Sequence, residues 1–219
     1  MRDPKPRRVA VLTICIALFT AIGTGVKLQA FVAIDRAAAQ WFAAQVTSVR
    51  TLFAFVITTI GSDFVIIPLM ILVALKLRSR SPYWMKRFLI TVSCGIVGNE
   101  ILKFIFYRKR PQWFHPLLHL YTNSFPSGHS CTATVTFGTL MILIPVFVQS
   151  KALRVAAVPA GTAMIVLIAA SRLYLGVHYL SDVIGGMVEG IAWINGVAIA
   201  LASPHARTNH REKQRPLSV

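Results

Sequence analysis

Six long apolar runs, with the charges gathered in the gaps between them, constrain this chain more than any other feature. They cover roughly residues 9–28, 52–77, 88–107, 130–148, 155–175 and 183–202. A helix needs about 20 residues to cross a bilayer, and only a structure that satisfies its own backbone hydrogen bonds can do so. The runs predict an all-α polytopic membrane protein, with six transmembrane helices in a bundle. Composition agrees: 55% of the 219 residues are hydrophobic and 14% charged, against about 45–50% and about 25% in soluble domains. This divides the chain into a cytoplasmic amino terminus (1–8), a six-span domain (9–203) and a basic cytoplasmic tail (204–219).

A net charge of +16 would suggest nucleic acid in a soluble protein. The placement of the charges argues against that partner and for orientation in a membrane. Fifteen of the 23 basic residues fall before the first run, at the end of the second (Lys76) or between it and the third, between the fourth and fifth, and after the sixth. That is the positive-inside pattern. It puts both termini in the cytoplasm, where the tail meets anionic lipid. The first run follows Arg7-Arg8 and has small residues at 21–25, as a signal peptide would. At about 20 residues it exceeds an h-region of about 7–15, so it is read as an uncleaved span.

Residues 29–50 carry Phe31, Ile34, Trp41, Phe42 and Val46 at loosely helical spacing. This predicts a short helix lying at the outer interface, or else an ordinary connecting helix packed on the bundle. Trp113, Phe114 and His115 fall near a span end, where aromatic residues anchor at headgroup level. Cys15, Cys94 and Cys131 are odd in number and lie in or beside apolar runs, so structural disulfides are not expected. Nothing has the spacing of a metal site.

Three polar clusters lie at the outer ends of the third, fourth and fifth runs, where charge is costly and calls for a function. In the first, Lys103 and Arg110 are seven residues apart, about two helical turns, and Pro111 follows. Two cations on one helix face suit a phosphate, although a basic patch on lipid headgroups would look the same. The second, Pro126-Ser127-Gly128-His129, opens the fourth run. Free amides at a helix start favour an anion, Ser127 can donate to one, and His129 can serve as a general acid; a purely structural cap is the alternative. The third holds Ser171, Arg172, His178 and Asp182. An imidazole held by a carboxylate four residues on can act as a nucleophile, or the two can simply form a capping pair.

Taken in order, Lys-x6-Arg-Pro, Pro-Ser-Gly-His and Ser-Arg-x5-His-x3-Asp resemble the three-part signature of the type 2 phosphatidic acid phosphatase superfamily, with every signature position matched. The short interval 112–125 resembles the compact bacterial members. The resemblance implies a metal-independent phosphatase without cofactor. In it, His178 attacks phosphorus and forms a phosphohistidine, Asp182 orients His178, and His129 protonates the leaving oxygen and then activates water. Lys103, Arg110 and Arg172, with Ser127 and the Gly128 amide, bind the phosphoryl oxygens. A site at the outer surface of the plasma membrane meets lipid headgroups, so the expected substrate is a lipid phosphate or diphosphate. Undecaprenyl diphosphate, phosphatidylglycerol phosphate, phosphatidic acid and lipid A phosphates all fit. Rivals are a phosphotransferase, a soluble-phosphate phosphatase and a non-catalytic lipid-binding protein. Of the remaining intramembrane acids, Glu100 is expected to pair with Lys103, Asp63 to close the pocket or cap a helix, and Glu189 to face the bundle interior.

Overall fold

In the computed structural model of the protein, residues 5–112, 116–118 and 120–202 are described. Trp113, Phe114, His115 and the basic tail lie outside them. The described residues form eight helices: α1 (Lys5–Lys27), α2 (Val32–Ala43), α3 (Ser48–Ile60), α4 (Asp63–Arg80), α5 (Pro82–Phe106), α6 (Gly128–Phe147), α7 (Lys151–Tyr174) and α8 (Leu180–Ala200).

Five of these, α1, α5, α6, α7 and α8, are each long and apolar enough to cross a membrane. The second apolar run differs from its single-helix expectation. It is split into α3 and α4, bent by 43°, and counts as a sixth crossing only if the pair is one span. The break has a local cause. Gly61 closes α3 through its amide to Thr58 O, Ser62 Oγ donates to Thr59 O, and Ser62 itself is extended. The segments on both sides are strongly apolar, so a window of membrane-spanning length reads through Gly61-Ser62-Asp63 as one run.

Helix α6 packs against α5, α7 and α8, and α8 also packs along α1. The main apolar core joins Cys131, Val135 and Leu143 of α6 to Phe88 and Val92 of α5 and to Ile66 and Leu77 of α4. By contrast Phe64, Phe104, Val155 and Ile14 are exposed on the outside of the bundle. Such apolar surface would be a liability in water and suits contact with lipid tails.

Small residues bring α8 close to α6. A Cβ on Gly186 would run into the Ser127 carbonyl oxygen, and one on Gly190 would lie 2.6 Å from Thr134 Cβ. Close backbone approach through small residues is a recurrent way of packing helices in lipid. Here it seats the turn before α6 directly on the first turns of α8, where Ser127 N donates to Asp182 O at 3.0 Å.

The segment between α1 and α3 is helical over Val32–Ala43, but it docks differently from its apolar pattern. Ile34 and Trp41 are exposed, while the residue α2 buries is Asp35. Phe42 is its apolar contact, packed on Ala169, Leu173 and Val183 of α7 and α8.

Candidate active site

All three polar clusters converge on one cavity of about 190 Å³. Its walls include Lys103, Arg110, Arg172, Gly128, His129 and His178, together with Asp63, Asn99 and Glu100.

Lys103 and Arg110 reach it by a route that helical spacing did not predict. Helix α5 ends at Phe106, and Tyr107 takes a left-handed conformation (φ 49°) that stops it. Arg110 therefore sits in the following loop, beside Pro111, which disfavours helix at the residue before it. Its guanidinium donates to Thr122 O and Thr122 Oγ1, both at 2.8 Å, and to Val177 O at 2.7 Å. Lys103 is on the last turn of α5 and pairs with Glu100 one turn earlier.

Arg172 lies near the end of α7 and is 1% exposed. Its Nη1 donates to Thr58 Oγ1 from α3, while Nε has no partner within the protein. A buried guanidinium with unused donors is ready for an anion.

Gly128 and His129 open α6 at the cavity wall. A side chain at 128 would approach Lys103 Nζ to 3.1 Å and Asn99 Oδ1 to 3.2 Å, so glycine leaves room where an anion would meet Lys103. Ser127 is fully buried behind Gly128, and its hydroxyl accepts from Ser130 Oγ at 3.0 Å.

His178 lies in the short turn between α7 and α8 and is 4% exposed. Its Nε2 is 3.2 Å from Arg110 Nη1, and its Nδ1 is 3.4 Å from Asp182 Oδ2. A guanidinium can only donate and a carboxylate can only accept. The proton therefore belongs on Nδ1, and Nε2 carries the free lone pair. Burial, with Arg110 and Arg172 adding to it, pushes the His178 pKa down from 6.5 to about 3 against the pull of Asp182. The ring is neutral, the form a nucleophile requires.

Asp182 caps α8 and also faces His178, so the geometry accommodates both readings of its motif. It is the third residue of α8, and its Oδ2 accepts from the Tyr179 amide at 2.9 Å, as in a capping box. The same oxygen accepts from Ser124 Oγ and faces His178 Nδ1.

Several participants escaped the motif-based reading. Ser124 is one. Arg108 is another: its Nη1 donates to Asp182 Oδ1 and its Nη2 to Asp35 Oδ2 at 2.8 Å, and it stacks 3.8 Å over the Tyr179 ring. Burial works to lower the Arg108 pKa, but Asp182 and Asp35 outweigh it and raise the value. Asn99 is the third. Its Nδ2 donates to Glu189 at 2.7 Å, leaving Oδ1 without a partner at the cavity wall. Glu189 faces the interior as expected and also accepts from Trp193. Asp63 begins α4 and lines the cavity, as one of its two expected roles required.

Among the described residues, no group of three or more His, Cys, Asp or Glu is placed to hold a metal ion.

Several known proteins resemble the chain in sequence and fold. The phosphatidylglycerophosphatase B of Bacillus subtilis (strain 168) is 31% identical over 138 residues, 62% of this chain and 67% of that protein. The undecaprenyl-diphosphatase of Sulfolobus acidocaldarius is 27% identical over 164 residues, 73% of each chain. A lipid A 1-phosphatase of Rhizobium johnstonii is 34% identical over 117 residues, 49% of this chain but 43% of that protein. In fold, the crystal structure of the PAP2-type phosphatidylglycerolphosphate phosphatase from Bacillus subtilis superposes with a TM-score of 0.79 at 22% identity, covering 99% of this chain and 100% of that one. Residues 83–204, which include all three polar clusters, match the PAP2 superfamily. The chain belongs to that superfamily, whose members are phosphatases.

Proposed function

We propose that the protein is an integral membrane lipid phosphatase that works through a phosphohistidine on His178. The observation that carries the reading is the two-sided hold on His178, with Nδ1 against Asp182 and Nε2 among the cations of the cavity. Phosphate oxygens sit among Lys103, Arg110, Arg172 and the Gly128 amide. Nε2 attacks phosphorus as the bond to the leaving oxygen breaks, and His129 gives that oxygen a proton. His129 then takes a proton from water, which attacks the phosphohistidine and releases inorganic phosphate and free His178. Charge developing on the phosphoryl oxygens is met by guanidinium and ammonium groups already in place, so little reorganisation is needed.

The substrate reading is a phosphate monoester or diphosphate of a membrane lipid. Phosphatidylglycerol phosphate comes first, because a relative in sequence and a relative in fold both carry that name. Six spans, with α3 and α4 as one bent crossing and α2 at the outer interface, fit the basic gaps if both termini are cytoplasmic. The site then faces outward, residues 9–203 form the enzyme, and the basic tail rests on anionic lipid.

The test is phosphate release by purified protein in detergent, with lipid monophosphates and diphosphates assayed side by side. Release that persists in His178→Ala would refute the nucleophile. Phosphate passed to an added acceptor lipid rather than to water would favour a transferase.

A further inference from the structure

Asp182 and Asp35 are both fully buried, and one guanidinium lies between them. Arg108 Nη1 donates to Asp182 Oδ1 and Nη2 to Asp35 Oδ2. Asp35 is tied a second time, accepting from Ser181 N at 2.9 Å and from Ser181 Oγ at 2.7 Å. Arg108 Nη1 also donates to that Ser181 hydroxyl at 2.8 Å. Each partner comes from a different part of the chain: Asp35 from α2, Arg108 from the loop after α5, and Ser181 and Asp182 from the first turn of α8.

A carboxylate brought out of water is expensive unless its lone pairs are filled. Asp182 meets that demand with Arg108 on Oδ1, and with Ser124, the Tyr179 amide and His178 on Oδ2. Asp35, the residue with which α2 docks, has no cation within reach other than Arg108 among the described salt bridges. Two carboxylates and one guanidinium leave a single net negative charge beside His178. That charge is what a positive, phosphorylated imidazole ring needs for balance.

We propose that Arg108 and Asp35 form a positioning pair: they fix the Asp182 carboxylate, and through it the Nδ1 side of His178, so that Nε2 is aimed at phosphorus. Helix α2 is thereby part of the catalytic scaffold, and its acid is the reason it docks where it does. Arg108 lies five residues after Lys103 and two before Arg110, yet its role differs from theirs. It is not among the residues that line the cavity with the other cations. It makes no contact with phosphate in this assignment, and its loss is felt in turnover rather than in substrate binding.

The proposal rests on His178 as nucleophile, and the experiment separates the two. Wild type, Arg108→Gln, Arg108→Lys, Asp35→Asn and His178→Ala are assayed in detergent on one lipid phosphate, with kcat and KM determined and folding checked by elution and melting temperature. Arg108→Gln should lower kcat by about 10²-fold, the cost of a misplaced reacting group, with KM nearly unchanged. Asp35→Asn should lower kcat in the same sense, and Arg108→Lys should recover part of the loss. The pH profile gives a second readout. The groups facing His178 are Asp182 from α8, Arg110 and Ser124 from the loop, Arg172 from α7 and His129 from α6. Removing Arg108 leaves the carboxylates less compensated and favours the protonated ring. The acidic limb of kcat/KM should therefore move to higher pH. A merely structural brace would lower the yield of folded protein and leave that limb in place. Wild-type kcat in folded Arg108→Gln overturns the pair. If that variant does not fold, wild-type kcat in both Arg108→Lys and Asp35→Asn overturns it. A raised KM at unchanged kcat also overturns it, because Arg108 would then be a substrate cation. Undiminished activity in His178→Ala refutes the nucleophile itself, whatever the Arg108 variants do.

Discussion

Arg110 Nη1 lies 3.2 Å from His178 Nε2, so in the proposed mechanism the nucleophilic lone pair and a phosphate-binding donor share one point of the cavity. In the free enzyme each satisfies the other. A bound phosphate oxygen would take the guanidinium and leave Nε2 facing phosphorus.

Removing that donor should be felt mainly in the transition state. Arg110→Gln is expected to lower kcat/KM by about 10²–10³-fold, the usual cost of losing one charge-stabilising donor. Arg110→Lys should recover little, since a single ammonium cannot span Thr122, Val177 and the phosphate together. Steady-state phosphate release measures both. Near-wild-type activity in the Gln variant would remove Arg110 from the phosphate site.

A neutral, buried His178 makes stability depend on pH in a definite direction. Its pKa is about 3 when folded and about 6.5 when unfolded, so the unfolded chain binds the extra proton first. The contribution is complete above about pH 6.5 and is lost as pH falls from there toward 3. Melting temperature in detergent should fall over that window, and His178→Gln should flatten the fall. An identical slope in the variant would show that other groups control it.

Gly186 offers a packing test away from the charges. An alanine there drives its methyl group into the Ser127 carbonyl, which is backbone and cannot swing aside. Gly186→Ala is expected to destabilise the protein by about 1–3 kcal/mol, the range for overpacking. It should also lower activity by displacing the turn that carries Gly128 and His129. Gly196→Ala, whose methyl group meets only Leu12 at an ordinary 3.9 Å, is the control and should be silent. Thermal melting and turnover on the two variants decide the matter.

If three cations do the work of a metal, chelation should not matter. Full turnover is expected in excess EDTA, and added magnesium should not raise it. Loss of activity on chelation, restored by a divalent ion, would overturn the cation account.

Much of this architecture was legible because hydropathy and membrane thickness act locally. A run of about 20 apolar residues is a crossing wherever it occurs. The helix bounds accordingly follow the runs, as in α6 (Gly128–Phe147) and α8 (Leu180–Ala200). The site motifs were legible for a different reason: their residue types have few uses inside a membrane. What stayed hidden depends on single dihedrals or on distant partners. Tyr107 turns left-handed and takes Arg110 off the helix, which spacing alone could not reveal. The polar dip at Gly61-Ser62-Asp63 is too short to divide the apolar run when it is averaged over a membrane-spanning window. Asp35 and Arg108 are 73 residues apart, and neither occupies a signature position. The available clue was scarcity: with only 7 acidic residues in 219, a buried Asp on a short helix needs a cation.

The hydrogen bond from the Tyr179 amide to Asp182 Oδ2 links construction of the helix to readiness for chemistry. The oxygen that starts α8 is the one that faces His178 Nδ1. A chain that fails to begin that helix correctly also lacks an oriented imidazole. In the proposed mechanism, a fault in the first turn of α8 therefore costs catalysis as well as packing.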